Sequence, residues 1–578
     1  MAFLLKRLKL FVIFRHRLMS NTNVYLLKPH ERPMMAGSPS FPDHPFKRRI
    51  WYAIIGVIVG LTAGFTNGML LANIPQIQGY LGLSPVQGGW VLVSYYMSSA
   101  IISVLLFKIR QVFGLPRYVR YIVLGLILTN CMQFFVHDYY MELFARGISG
   151  LVGGSLNSMA MYYMMQAMPT VHRAKGIILG LGLTQLSQPI ARVISPLILQ
   201  YEQFQLIFSF QLGMALIVSA AVWLLPIPSG YLQKSFEKID LISFPLMSTG
   251  IALICAGAVQ GRIVWWDKNW IGYLFLAGFV CCMISAIIEY NRKNPMLDIK
   301  WILHSNGMLQ VLVFGSLIRV ALSEQNMGAA GLMTVLGLSS DQMIHFYTVI
   351  SIGALCGLLC STFAFKVTDI KFPLVVSFAI IAIASFMEIG QNQWSRPVNF
   401  YLPEFLIAFA SLFFFGPVMM EGMIRALAKG SDYIMSFSAV FGFSQTVGGL
   451  TGSALLNAFL TIRTRVHLIN SADGSNLSDP LVNQLVQQNA AAVQRFSTDN
   501  IWNHAYGVSK IIQQDATLAQ IAAYNDLFVT VGIGSLICFL VVGGHRWWHK
   551  IRGTNPLDRE LKYFAAAVQR AKQQLSKS

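Results

Sequence analysis

Residues 142–165 read ELFARGISGLVGGSLNSMAMYYMM. A bilayer core of ~30 Å takes about 20 residues of helix to cross, so this stretch has the length of a membrane span. It carries one arginine, Arg146, in the middle of glycines and apolar residues. Outward from it the pattern repeats along the whole chain: long apolar runs separated by short polar loops. Of the 578 residues, 55% are hydrophobic and 12% charged, against about 25% charged in a typical soluble domain. That charge cannot coat a soluble protein of this size. An ordinary cytosolic enzyme, a disordered chain and a disulfide scaffold are excluded, and an all-α polytopic membrane protein is predicted.

Fourteen spans are predicted. Their cores are 51–73, 90–107, 119–136, 142–165, 176–199, 205–225, 241–259 and 270–288, followed by 306–325, 344–365, 372–390, 401–421, 435–460 and 525–544. With the N-terminus inside, the inner short loops, with Arg120 at their edge, hold 15 of the 43 lysines and arginines. The outer short loops hold only Arg262, Lys268 and Arg396. Basic residues favour the cytoplasmic side, so both termini are expected in the cytoplasm of a multi-pass cell-membrane protein. One long outer loop, 461–524, is expected to contain an amphipathic helix in PLVNQLVQQNAAAVQRF.

The expected organisation is a basic cytoplasmic N-terminal segment (1–49), a first six-helix bundle (50–225) and two inserted transmembrane helices with flanking loops (226–305). A second six-helix bundle with its outer loop (306–545) and a basic cytoplasmic tail (546–578) complete it. Residues 1–20 are not a secretory signal, because basic residues interrupt the apolar run and no small-residue cleavage site follows. They suit an amphipathic surface helix, or a dispensable extension ahead of Met34 or Met35. The net charge of +19 reflects the two ends and the inner loops. No nucleic-acid motif accompanies it. The seven cysteines sit in apolar runs as reduced packing residues, and Cys356 and Cys360 lack companion ligands for a metal. Met159, Met161, Met164, Met165 and Met168 read as packing. No cofactor and no metal are called for, and without a P-loop ATP is not the energy source.

Several motifs in order resemble the major facilitator superfamily, and within it the fourteen-span drug:proton antiporters of the EmrB/QacA type. Arg146-Gly147-Ile148-Ser149-Gly150-Leu151-Val152-Gly153-Gly154 resembles the family's R-x-x-x-G-x-x-G motif. Asn73-Ile74-Pro75-Gln76-Ile77 with Gly82-Leu83-Ser84, Phe236 to Asp240, Pro295 to Asp298, Gln445 to Gly449 and Ala523 to Phe528 are similar to further family stretches. The resemblance covers 50–545. It implies two six-helix bundles with two inserted helices, a substrate cavity between spans 1, 4, 9 and 12, and proton-coupled efflux. It also implies a small-molecule substrate, protons and a periplasmic adaptor protein as partners, and a bacterial inner membrane as the location. In the family the motif arginine is linked to proton transfer. The chain departs from the pattern in span 1, where Thr66 and Asn67 replace the usual Asp. It departs again at Gln111 in the first inner loop, and in span 5, where Arg192 is added.

The intramembrane charges stand out without any family. Arg146, Arg192, Arg319 and Glu324 interrupt apolar runs, with Glu404 at the start of span 12. On insertion scales each costs about 2.5–3.5 kcal/mol at mid-bilayer, so they face a cavity or one another. All five are placed in the outer half of the membrane, either as a salt-bridge network or as a proton site beside an anion site. The proton-coupling candidates are Glu324, Glu404 and Arg146. The substrate-binding candidates are Arg192, Arg319, Asn67 and Thr66. Buried arginines favour an anionic or zwitterionic compound. The expected function is proton-coupled efflux of an amphipathic drug-like or anionic organic compound. The alternative is a proton-uncoupled receptor or assembly scaffold that retains the transporter fold. No catalytic constellation supports an enzyme.

Overall fold

The computed structural model describes residues 31–562, except 32, 34–36, 170–171, 200–204, 231–235, 293–294, 365–368, 370, 475–479, 495, 497–498, 554–556, 559 and 561. The basic stretch 1–20, the Asn476-Leu477-Ser478 sequon and the end of the tail lie outside the described residues. Among those described there is no strand. The first helices are α1 (Phe46–Ala72), α2 (Pro85–Phe113), α3 (Leu115–Gln133), α4 (Tyr139–Ala167), α5 (Arg173–Leu199), α6 (Gln205–Leu224), α7 (Asp240–Val264) and α8 (Asn269–Tyr290). There follow α9 (Asn306–Ala321), α10 (Ile344–Ala364), α11 (Lys371–Met387), α12 (Tyr401–Phe413, resuming as Phe415–Lys429), α13 (Ser431–Gly474) and α14 (Asn500–Ile551). Each predicted span falls on one of these helices. Among the described residues, ten helical stretches are long and apolar enough to cross a membrane.

Where the chain turns, local chemistry accounts for it. Ser84 opens α2 with a capping box: its Oγ accepts from Gln87 N at 3.3 Å, and Gln87 Oε1 accepts from Ser84 N at 2.9 Å. Pro85 at the first helical position suits that start. Gly114, at φ 79°, makes the bend between α2 and α3.

Apolarity follows position in the bundle. α8 is strongly apolar and its side chains face outward: Tyr273 is 67% and Met283 64% exposed. A helix with that surface is lipid-facing. α4 is the opposite case. It is packed against α1, α2 and α5, and most of its residues are buried. It therefore tolerates Glu142, Arg146 and several serines. A Cβ at Gly150 would strike the Tyr95 carbonyl and Ser98 of α2, so the glycines of the Arg146 motif set how closely α4 and α2 approach. Gly176 and Gly180 of α5 sit against Met164 and Met161 in the same way, and Met159, Met164 and Met165 are core residues.

α10 packs on α5 and α12, and α13 on α2, α7 and α9. Gly182 lies under Leu358, and Gly416 under Ile178. The first six helices thus meet the last six through α5 against α10 and α12 and through α2 against α13. α7 joins α2 and α13 there, with α8 outside it.

Two expected loops are helical instead. The inner loop read at 108–118 begins too early, because α2 runs on to Phe113. Its charges are answered inside the protein: Lys108 Nζ donates to Asp240 Oδ2 at 2.5 Å, and Arg110 Nη1 to the Tyr162 hydroxyl at 2.6 Å. Likewise 461–524 is not one loop. α13 continues to Gly474 and α14 begins at Asn500, pinned together by Asp526, which accepts from Arg463 at 2.6 Å and lies 2.6 Å from His467. The expected amphipathic helix is present at Pro480–Val493, packed on α14 through buried Val486.

Residues 37–45 form a strap across one face. Arg173 donates to the Phe41 carbonyl at 2.7 Å and covers the buried Phe41 ring. Gln166 donates to the Ser40 carbonyl at 2.7 Å, and Ser40 Oγ to the Ser229 carbonyl at 2.8 Å. His44 pairs with Gln166 at 2.9 Å. Burial pushes the His44 imidazole below its ordinary value, outweighing the opposite pull of Gln166.

Candidate functional site

α9 does not run unbroken. It ends at Ala321, resumes as one turn at Glu324–Met327, and again at Ala329–Val335. Gly328 between the two pieces holds ψ −97°, and a Cβ there would collide with Glu324 Oε1. The break therefore makes room for a carboxyl group that a continuous helix would displace. Discontinuous helices of this kind house binding sites in membrane carriers.

Two further carboxyls meet Glu324. Glu388 follows the last residue of α11, and Glu404 lies in the first turn of α12, where the helix dipole favours negative charge. Carboxylate oxygens of all three lie within 4.8 Å of one another, and all three residues are 0% exposed. Gln325 Nε2 donates to Glu404 Oε2 at 3.0 Å. Glu324 is in hydrogen-bonding contact with Glu388 and with the Ala329 amide, and Oε1 of Glu404 has no hydrogen-bond partner among the described residues. Among the described residues no basic side chain comes within ion-pair distance of the three. At that separation two full charges repel by about 3–4 kcal/mol even at an effective dielectric of about 20. The cluster cannot stay fully ionised; it takes up protons or a cation. Oxygen donors in this number suit a hard cation. Gln325, however, turns its amide nitrogen to Glu404, a donor that repels a cation and serves a carboxylate. Proton exchange is the chemistry this donor set fits.

Arg146 is not part of the cluster. Its Nε donates to Glu142 Oε1 at 2.7 Å on the same face of α4, and both side chains are 2% exposed. Arg192 and Arg319 do not pair with the glutamates either. Arg192 Nη1 donates to the Tyr347 hydroxyl at 2.7 Å, its guanidinium 5.0 Å from that ring. Arg319 Nη2 donates to Gln185 Oε1 at 3.3 Å, and its stem lies along Gly448 and Gly449 of α13. Both arginines thus bridge the first six helices and the last six. Asn67 is buried and its Oδ1 lacks a donor. Thr66 Oγ1 is spent on the Thr62 carbonyl at 3.0 Å.

Glu388 escaped the sequence reading although it lies inside the run 372–390. The criterion that selected Glu324, a carboxylate within an apolar span, selects it as well. Arg262, assigned to an outer loop, is in the last turn of α7 with Nη1 3.8 Å from Met327 Sδ. It touches the broken segment that carries Glu324.

A family model described as Major Facilitator Superfamily matches residues 56–453. The multidrug export protein EmrB of Haemophilus influenzae is 22% identical over 484 residues, covering 81% of this chain and 90% of the relative. EmrB of Escherichia coli K12 is 21% identical over 500 residues, 82% and 90% of the two chains. Among solved structures, tetrameric PepTSo2 is similar with a TM-score of 0.51 at 12% identity, over 86% of this chain and 98% of that one. The proton:xylose symporter XylE is similar with a TM-score of 0.50 at 11% identity, over 85% and 95%.

Proposed function

The chain belongs to the major facilitator superfamily, and from that premise we propose that it is a proton-coupled exporter of amphipathic organic compounds. Membership and the relatives named for multidrug export make it a membrane transporter and not an enzyme. The observation that carries proton coupling is the Glu324–Glu388–Glu404 cluster: three fully buried carboxyls within 4.8 Å, with no basic partner among the described residues. Protonation removes their repulsion and desolvation together, so loading and unloading of protons changes which arrangement of α9, α11 and α12 is stable. The substrate is held between the two halves near the bilayer midplane, and access alternates by rocking of one half against the other.

The reading places fourteen spans in a bacterial inner membrane, with both termini cytoplasmic. Its two six-helix units are 50–225 and 306–545, with 226–305 inserted between them. The extensions of α13 and α14, with the helix Pro480–Val493, then project outward. Exposed Leu481, Phe496 and Ile501 give that projection an apolar surface suited to an adaptor protein.

The test is transport by the purified chain in liposomes, with rhodamine 6G as probe. An imposed pH difference should drive uphill dye movement, and a protonophore should abolish it. Dye movement that ignores the pH difference contradicts proton coupling.

A further inference from the structure

Three partly buried arginines in the bundle form no ion pair among the described residues, although the charge of Arg192 reaches Glu404. Arg192 of α5, Arg262 of α7 and Arg319 of α9 all lie within electrostatic reach of the Tyr96 hydroxyl on α2. Their partners are a phenol, a thioether sulfur and an amide oxygen. Other basic groups drawn inside are treated differently. Lys108 has Asp240, Arg146 has Glu142, Arg292 has Asp240 and Glu289, and Arg425 has Glu421. A fold that pairs those charges and leaves three guanidiniums without an ion pair around one hydroxyl has left donors that an anion can engage. Charge at membrane depth is costly unless a counter-charge arrives.

We propose that Arg192, Arg262 and Arg319 form an anion site that takes the carboxylate or sulfonate of the transported compound, with Arg262 contributed by the inserted helix pair. The inference rests on the exporter reading and sharpens it to a substrate class. It also gives the inserted helices a role. α7 packs between α2 and α13, which brings its last turn to the interface of the halves. Trp265, at φ 81°, ends the helix three residues beyond Arg262. A guanidinium presents a planar fork of donors that matches a carboxylate, and the Tyr96 and Tyr347 rings beside the arginines suit a flat apolar body. An anion held there ties together three parts of the chain: the first six helices, the inserted pair and the last six.

Two dyes with the same xanthene body and opposite charge test this: fluorescein, an anion, and rhodamine 6G, a cation. Binding to the purified full chain is read by fluorescence anisotropy. Fluorescein should bind, and Arg262→Gln should weaken it about tenfold, as expected for one lost charge-assisted hydrogen bond. Arg262→Lys, which keeps the charge, should retain most of the binding and guards against a folding artefact. Rhodamine 6G binding should not weaken in Arg262→Gln. Fluorescein binding that is absent, or unchanged in both Arg262→Gln and Arg319→Gln, overturns the anion site. If rhodamine 6G is still pumped in that case, the exporter reading stands and the anion site alone falls. If fluorescein binds in an arginine-dependent way but neither dye is moved in liposomes, the anion site stands and the exporter reading falls.

Discussion

Gln325 donates its amide to Glu404 across 3.0 Å, joining the broken part of α9 to the first turn of α12. The residue before Gln325 is Glu324, so one short turn delivers both a carboxyl to the cluster and a hydrogen bond to its neighbour. A proton arriving on Glu404 or Glu324 alters the charge that this turn must accommodate. Gly328 is the hinge of the segment, since any side chain there meets Glu324 Oε1.

Gly328→Ala should therefore disable pH-driven transport while leaving the chain in the membrane. The tightest collision is with the Glu324 carboxyl, with the Glu324 backbone carbonyl next at 2.9 Å. Transport assayed in liposomes, alongside the amount of monodisperse protein recovered, checks this. Normal transport by Gly328→Ala would show that the cluster tolerates displacement.

The Arg146–Glu142 pair predicts a different outcome. Glu142→Ala leaves a buried arginine unanswered, which costs about 3–5 kcal/mol when one partner of a buried pair is removed. Thermal unfolding in detergent should show a large loss of stability. The double change Glu142→Leu with Arg146→Leu should recover most of it. A stable Glu142→Ala protein that has lost only proton coupling would return Arg146 to the coupling machinery.

The strap at 37–45 should be pH-sensitive through His44. Its folded-state value lies below that of the free side chain, about 6.5. The contribution to docking is thus fully present above that pH and is lost as the pH falls through the folded value. Protection factors of 37–45, taken relative to the intrinsic exchange rate at each pH, should be higher at about pH 8 than at about pH 5, and His44→Gln should remove the difference. Equal protection at both pH values in the unmodified protein contradicts the assignment.

Much of this was legible in the sequence because a bilayer leaves little freedom. Apolar runs of helix length had to be helices, and each predicted span found one. Lys108 and Arg110 misled the reading of the first inner loop, because their partners Asp240 and Tyr162 are 132 and 52 residues away. The same holds for Asp526, which zips α13 to α14 across sequence read as loop. Glu324 and Glu404 were marked by their apolar surroundings, but their contact depends on a helix break that only Gly328 hints at. Arg262 was visible as an exception in the loop charge count, and its role required the packing of α7 against α2.

Orientation is open to direct reading. A reporter inserted after Ser475 should report the outer side, and one fused to the C-terminus the cytoplasm. A cytoplasmic signal from the Ser475 insertion would mean that the number of crossings before it is even rather than odd, and the fourteen-span reading would fall.

Glu324 decides the central claim. In liposomes carrying the purified chain, Glu324→Gln should abolish uphill movement of rhodamine 6G under a pH difference. Dye exchange at equal pH should persist, because the neutral amide mimics the protonated carboxyl and leaves the substrate route intact. Uphill transport by Glu324→Gln at the rate of the unmodified protein would contradict coupling through the Glu324–Glu388–Glu404 cluster.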